Sequence, residues 1–300
     1  MKQYKIYQID AFTKTKFKGN PAGVVVNADG LSENQMQTIA RELNNSETAF
    51  LFHPEDNSCD GIIRYFTPTT EVPTCGHATI AAMYAKAIEE EIGSCVLNIR
   101  TKIGVLPFEI DRSDKTIKVW MTQGSIEIEP PLSQEIRSTL LEYIGILPGD
   151  LDNRCPIQIA STDHSKLMIG ITSREKLNKL KPNFHQLKKL SNVINCNGYF
   201  VFTINSNDPE LFSYGRMFAP AIGINEDPVT GNANGPLGAY LVHNKIVSSE
   251  NDTFSFNGFQ GEAIGRDGIV EVVVSIQNKK PILVKIGGNA VVIFKTLIEI

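Results

Sequence analysis

The chain has little of what would betray a role at first sight. Its five cysteines (Cys59, Cys75, Cys95, Cys155 and Cys196) are odd in number, widely scattered and form no CxxC pair. That pattern excludes a disulfide framework and a cysteine-rich zinc module, and free thiols are expected. Neither charge is in surplus: 29 basic residues stand against 33 acidic ones, without the basic excess of a nucleic-acid binder. No apolar run reaches the length of a membrane span or a secretory h-region, and the first residues, MKQYKIYQIDAF, alternate polar and apolar from the start. A cytoplasmic protein with no membrane or nucleic-acid partner is expected. Histidine is scarce, and His53, His164, His185 and His243 are isolated from any metal-ligand spacing. No metal, nucleotide or flavin cofactor is expected.

What is present is an ordinary globular composition, 42% apolar and 21% charged, over 300 residues, a length that suits two domains. Runs rich in β-branched and aromatic residues predict strands at Tyr4–Ala11, Ala22–Val26, Thr48–His53, Ile62–Phe66, Val105–Ile110, Thr116–Thr122, Leu167–Ile171, Tyr199–Ile204, Ile269–Ile276 and Ala290–Lys295. With fewer helices between them, the fold class is α+β. The clearest helix is Glu33–Leu43, opened by a Ser32/Gln35 capping box and carrying Met36, Ile39, Ala40 and Leu43 on one face. That face should cover a sheet from outside.

Two further helices read differently. His77–Ile88 and Ala233–Val242 carry small apolar side chains all round, the pattern of a helix enclosed by protein. Their surroundings repeat. Arg64-Tyr-Phe66-Thr-Pro68 followed by Pro73-Thr-Cys75-Gly76-His77-Ala78 matches Arg216-Met-Phe218-Ala-Pro220 followed by Pro228-Val-Thr230-Gly231-Asn232-Ala233. The offsets are 152 and 155 residues, close to half the chain, so two homologous halves are predicted. EIEPPLSQ, around Pro130 and Pro131, is the natural linker; the halves are drawn as 1–125 and 130–282, with 283–300 returning to the first.

A helix start leaves backbone N–H groups unpaired and carries partial positive charge, so it suits an anion. Gly76-His77 and Gly231-Asn232 would converge on one cleft if the halves face each other, offering donors to a carboxylate or a developing enolate. The plainer alternative is that each glycine only makes a tight strand-to-helix turn. Glu47, in NSETAF, lies between a helix and a hydrophobic strand; pointing inward it would be a base, pointing outward a surface acid.

FKGNPAGVVV (17–26), NNSETAF (44–50), RYFTPTTEVPTCGHATIAA (64–82), GINEDPVTGNA (223–233) and FQGEAIGRDG (259–268) together resemble the PhzF-like phenazine-biosynthesis family of isomerases. The wider superfamily holds diaminopimelate epimerase and proline racemase. The resemblance implies two pseudo-symmetric halves, each a rolled, barrel-like sheet around a central helix, with the active site in the cleft between them. It also implies a homodimer, and catalysis without a cofactor on a small carboxylic acid substrate.

Residue by residue, the resemblance makes Glu47 the catalytic acid/base and places His77 and Asp227 with it as catalytic residues. Asn20, Cys75, Gly76, Thr230, Gly231 and Asn232 become substrate-binding positions. Superfamily racemases use two thiols, one per half, but the repeat places Thr230 opposite Cys75, so a two-thiol mechanism is not available. Asn232 stands where the family has serine, an amide for a hydroxyl, which points away from the family's own substrate, trans-2,3-dihydro-3-hydroxyanthranilate. Two rival functions stay open: a racemase, epimerase or dehydratase acting through Cys75 alone, since a thiol at a helix start is acidified, and a metabolite-binding protein that keeps the cleft without the chemistry. Gln260-Gly261 with Arg266 is assigned to a sheet turn, and Gly287-Gly288 is a further family match without an assigned role.

Overall fold

The computed structural model describes residues 1–113, 116–204, 208–248 and 250–300. The chain forms two compact units, Met1–Thr122 with Gly287–Ile300, and Gln123–Ile286.

In the first unit the elements run β1 (Gln3–Ala11), β2 (Asn20–Val25), α1 (Glu33–Leu43), β3 (Thr48–Phe52), β4 (Gly61–Phe66), β5 (Glu71–Val72), α2 (Gly76–Glu89), β6 (Cys95–Thr101), β7 (Gly104–Ser113) and β8 (Thr116–Thr122). β1 pairs antiparallel with β2, β2 parallel with β3, β3 antiparallel with β4, β4 parallel with β6, and β6–β7–β8 continue antiparallel. The C-terminal strand, Lys280–Glu299, pairs with both β8 and β1 and closes the ring. Inside a closed ring of eight strands there is room for little more than side chains. This explains the alanines of α2, which packs against β1, β2, β3, β7 and β8 with Ala78, Ile80, Ala81, Ala82, Met83, Ala85 and Ala87 all buried. By contrast α1 is one-sided. Its Met36, Ile39 and Ala40 join Tyr4, Ile6, Val25, Phe50 and Phe66 in a cluster outside the ring, each large side chain stabilising by about 1.5–3 kcal/mol. The Ser32/Gln35 capping box is formed as expected.

The second unit runs β9 (Glu127–Ile128), α3 (Gln134–Ile144), β10 (Gln158–Ser161), β11 (Lys166–Gly170), α4 (Arg174–Lys179), α5 (Phe184–Ile194), β12 (Tyr199–Thr203), β13 (Ser213–Ala219), β14 (Ile224–Asp227), α6 (Gly231–His243), β15 (Thr253–Gln260) and β16 (Gly268–Gln277). Its ladder repeats the first: β11–β12 parallel, β12–β13 antiparallel, β13–β15 parallel, β15–β16 antiparallel, with β14 hanging on β13 as β5 hangs on β4. α6 takes the inner place of α2, packed on β10, β11, β15 and β16 and buried from Ala233 through Val242. Outside, Leu140, Leu141 and Ile144 of α3 and Leu187 and Leu190 of α5 close over Ile159, Leu167, Ile169 and Val201.

The repeated arginine has a structural reason in both units. Arg64 makes a two-pronged bond to Glu71 across β4–β5 (2.8 and 3.0 Å), and Arg216 makes the same bond to Glu226 across β13–β14 (2.9 and 2.7 Å). Each guanidinium also lies over the phenylalanine two residues on, 5.1 Å from Phe66 and 4.9 Å from Phe218. Such planar, bidentate pairing needs arginine rather than lysine.

Several elements carried no clear strand or helix signal. β13 is buried at every position, so alternation is lost; β10 has only four residues; and α3, α4 and α5 are ordinary amphipathic helices within polar stretches. Asn20 begins β2, opposite Ala11. Among the described residues, no helix is long and apolar enough to cross a membrane.

Candidate active site

Unit one gathers its chemistry where β3 begins and α2 starts. The turn Asn44–Ser46 ends α1 in a left-handed Asn44, and the next residue, Glu47, precedes β3 with its carboxylate mostly covered, 16% exposed. Extended Cys75 precedes α2, and Gly76 and His77 form its first turn. The sequence pattern thus brings Glu47, Cys75 and His77 together: His77 Nε2 lies 3.3 Å from Glu47 Oε2 and 3.2 Å from Ser46 Oγ, while Nδ1 lies 3.4 Å from Cys75 Sγ. An ionised carboxylate only accepts, so the tautomer that suits this geometry carries its proton on Nε2 and leaves Nδ1 to accept from the thiol. Asn20 is buried at the start of β2.

Below the site, Thr79 Oγ1 donates to the Cys75 carbonyl (2.7 Å) and contacts Tyr65 Oη (2.6 Å), which pins the cap residue. No side chain caps α2, so its first N–H groups face outward from the helix end. Glycine at Gly76 is helical and is not there for a left-handed backbone; what its missing side chain gives is close approach to those N–H groups.

Donor atoms of Glu47, Cys75 and His77 lie within 4.8 Å of one another, a set that in composition would suit zinc. His77 Nε2 faces both partners, 3.3 Å from the carboxylate and 4.0 Å from the sulfur, whose shorter contact is with Nδ1 at 3.4 Å. The same arrangement serves a proton relay as it stands.

Unit two builds its helix start from neutral polar groups. Thr230 precedes α6 in an extended conformation, and its hydroxyl donates to the Asp227 carboxylate instead of capping the helix. Gln260, from the end of β15, ties the corner: its Oε1 accepts from Thr230 N (3.1 Å) and Asn234 Nδ2 (3.0 Å), and its Nε2 donates to the Asp227 carbonyl (2.8 Å) and Thr230 Oγ1 (3.0 Å). The expected sheet turn is formed by Gly261 to Arg266 between β15 and β16, with Arg266 N donating to the Gly261 carbonyl, and Gln260 ends the strand ahead of it. Gln260 is 1% exposed and holds both site positions in place.

Gln123 was not legible as a site residue. It follows β8, and its Nε2 donates to Asn232 Oδ1 (2.8 Å). Nearby, partly buried Lys166 lies over Gly198; burial holds its ammonium below the usual lysine range, with Cys196 and Asp227 opposing the shift.

Comparison with known proteins places these residues in context. Residues 9–296 match the model of the family described as phenazine biosynthesis-like protein. An uncharacterized isomerase of Clostridium acetobutylicum is 55% identical over 296 residues, 99% of this chain and 98% of that one. The trans-2,3-dihydro-3-hydroxyanthranilate isomerase of Pseudomonas chlororaphis is 32% identical, covering 94% of this chain and 95% of its own. Among solved structures, a PhzF-family phenazine biosynthesis protein of Bacillus anthracis superposes with a TM-score of 0.89 at 30% identity over the whole of both chains. A hydroxyproline epimerase of Agrobacterium vitis, at 12% identity and a TM-score of 0.64 over 99% of this chain and 91% of its own, shares the fold alone. The architecture is thus the diaminopimelate epimerase-like one expected of the motifs.

Proposed function

The chain belongs to the phenazine biosynthesis-like family and is an isomerase, and from that premise we propose that it shifts a proton on a small carboxylic acid without a cofactor, using Glu47 as its acid and base. The observation that carries the reading is the mostly buried Glu47 carboxylate beside the His77 imidazole at an uncapped helix start.

In the forward step a C–H bond of the substrate breaks, its proton passes to a Glu47 oxygen, and the electron pair spreads into the conjugated system toward the carboxyl or carbonyl oxygen. His77 and the first N–H groups of α2 are placed to stabilise that negative charge. Glu47 then returns the proton to a different carbon of the same skeleton, so atoms and charge balance with no other reactant. General base catalysis of this kind contributes about 10²–10⁴-fold. Asp227, Thr230, Gly231 and Asn232 are assigned to substrate recognition. The substrate is a small amino or hydroxy acid, open-chain or cyclic, of the class to which trans-2,3-dihydro-3-hydroxyanthranilate belongs.

Incubating the protein with trans-2,3-dihydro-3-hydroxyanthranilate and following the proton NMR spectrum tests the reading. Isomerisation that disappears in Glu47→Gln supports it; isomerisation unchanged in that variant refutes the assigned base.

One contact favours a second reading. Cys75 Sγ lies 3.4 Å from His77 Nδ1, close enough for the imidazole to take the thiol proton, as a single-thiol racemase or dehydratase would require. Turnover abolished by Cys75→Ser and retained by Glu47→Gln would select it.

A further inference from the structure

Asn232 is an amide, and which end of it meets a ligand depends on what holds the other end. Gln123 does the holding. Its side chain is 5% exposed and stretched between three groups: Thr162 Oγ1, itself fully buried, donates to Oε1 at 2.8 Å, and Nε2 donates to Asn232 Oδ1 at 2.8 Å and to the Gly231 carbonyl at 3.4 Å.

Thr162 alone would not fix the orientation, because a hydroxyl can donate or accept. The Gly231 carbonyl removes the ambiguity, since it can only accept and so must face the nitrogen of Gln123. Asn232 must then turn its oxygen to Gln123, which leaves Nδ2 with its two N–H groups directed away from that bond. Gly235 leaves room for this arrangement: a Cβ there would lie 1.7 Å from Gln123 Oε1 and would displace the glutamine amide from its place across the helix. In the first unit the position equivalent to Asn232 is His77, whose partners are Ser46, Glu47 and Cys75. Among the described residues of the second unit, the bond to Asn232 comes from an amide, Gln123.

Resting on the proposed function above, we infer that Gln123 is a positioning residue that locks Asn232 as a donor, so that the substrate presents an oxygen acceptor, a carboxylate, at this point. A serine hydroxyl in place of Asn232 can rotate to donate or accept and needs no such lock. Gln123 and Asn232 therefore act as a pair, and the pair narrows the substrates to those with an acceptor there.

The test is a double-mutant cycle of Gln123→Met and Asn232→Ser, read as KM and kcat for trans-2,3-dihydro-3-hydroxyanthranilate and, independently, in the side-chain amide region of the ¹⁵N–¹H spectrum. Gln123→Met should raise KM about tenfold with kcat within about twofold, and the same change in the Asn232→Ser background should alter KM by less than about twofold. The Asn232 amide pair, identified by its loss in Asn232→Ser, should shift in Gln123→Met. An equal KM increase in both backgrounds would make Gln123 a packing residue only, and an unmoved amide pair would refute the lock. Should Gln123→Met fail to fold, Thr162→Val releases the far end of the same chain, and the Asn232 amide pair should shift there too. Absence of turnover in the unmodified protein would count against the proposed function, while the amide spectrum would still decide the lock.

Discussion

The starts of α2 and α6 are the same backbone device fitted with different chemistry. Thr79 ties back to the carbonyl of Cys75 by its hydroxyl, and Asn234, 155 residues on, ties back to the carbonyl of Thr230 by its amide. The arginine–glutamate pairs match as well. The difference lies at the residue that precedes the matching strands β3 and β12. Thr48 pairs with Phe66, and Tyr199 pairs with Phe218, the repeat equivalent of Phe66, so Glu47 corresponds to Gly198. Backbone bonding agrees, with Gly23 N donating to the Glu47 carbonyl as Leu167 N donates to that of Gly198. One half therefore carries a carboxylate, and at the matching place the other carries no side chain. The two units share one scaffold, and the chemistry proposed here needs only one base.

The sharpest way to break this comparison is to neutralise the acid in each half. Glu47→Gln should lower kcat about 10³-fold, whereas Asp227→Asn should cost about tenfold, mostly in KM; steady-state kinetics on the same substrate decides it. Comparable losses in kcat would mean that both halves supply acid/base groups.

The paired arginines sharpen it in stability. Arg216 and Glu226 side chains are only 8% and 10% exposed, and Arg216 Nη1 also donates to the Leu177 and Leu180 carbonyls; Arg64 is 30% exposed. Arg216→Met should cost about 3–5 kcal/mol by urea unfolding, against about 1 kcal/mol for Arg64→Met.

Gly198 gives a smaller effect. A Cβ there would lie 2.3 Å from Met217 Cε and 2.5 Å from Lys166 Cδ, both in flexible side chains that can shift. Gly198→Ala should destabilise by about 1–2 kcal/mol in the same unfolding assay.

The smallest difference is one of pH. Hydrogen bonding from Arg64 holds the Glu71 carboxyl below its ordinary value of 4.5. A depressed carboxyl contributes stability above the unfolded value and loses it as pH falls through the folded one. Glu71→Gln should therefore cost about 1 kcal/mol at pH 7, hold steady down to about pH 4.5 and lose its effect below; a penalty that persisted in acid would show that the pair does not act through charge.

Much of this was legible in the sequence because small motifs carry steric demands. The all-round alanines of α2 are dictated by the inside of a ring, and RxFxP repeats because arginine must reach both a glutamate across the hairpin and the phenylalanine beneath it. Glu47, Cys75 and His77 were named from their local strings, and the fold brings them together. What escaped was nonlocal. Gln123 lies 109 residues from the Asn232 it holds, and Gln260 lies 33 from Asp227, and neither glutamine has a local pattern to mark it. The fully buried β13 hid for another reason, since a strand covered on both faces shows no alternation.

The measurement that bears most directly on a single base in the first half is deuterium incorporation into trans-2,3-dihydro-3-hydroxyanthranilate and its product in D₂O, compared between Glu47→Gln and Cys75→Ser. The account predicts that exchange is abolished in Glu47→Gln and survives within about tenfold in Cys75→Ser. Exchange retained without Glu47 and lost without Cys75 would contradict it and assign the proton to the thiol.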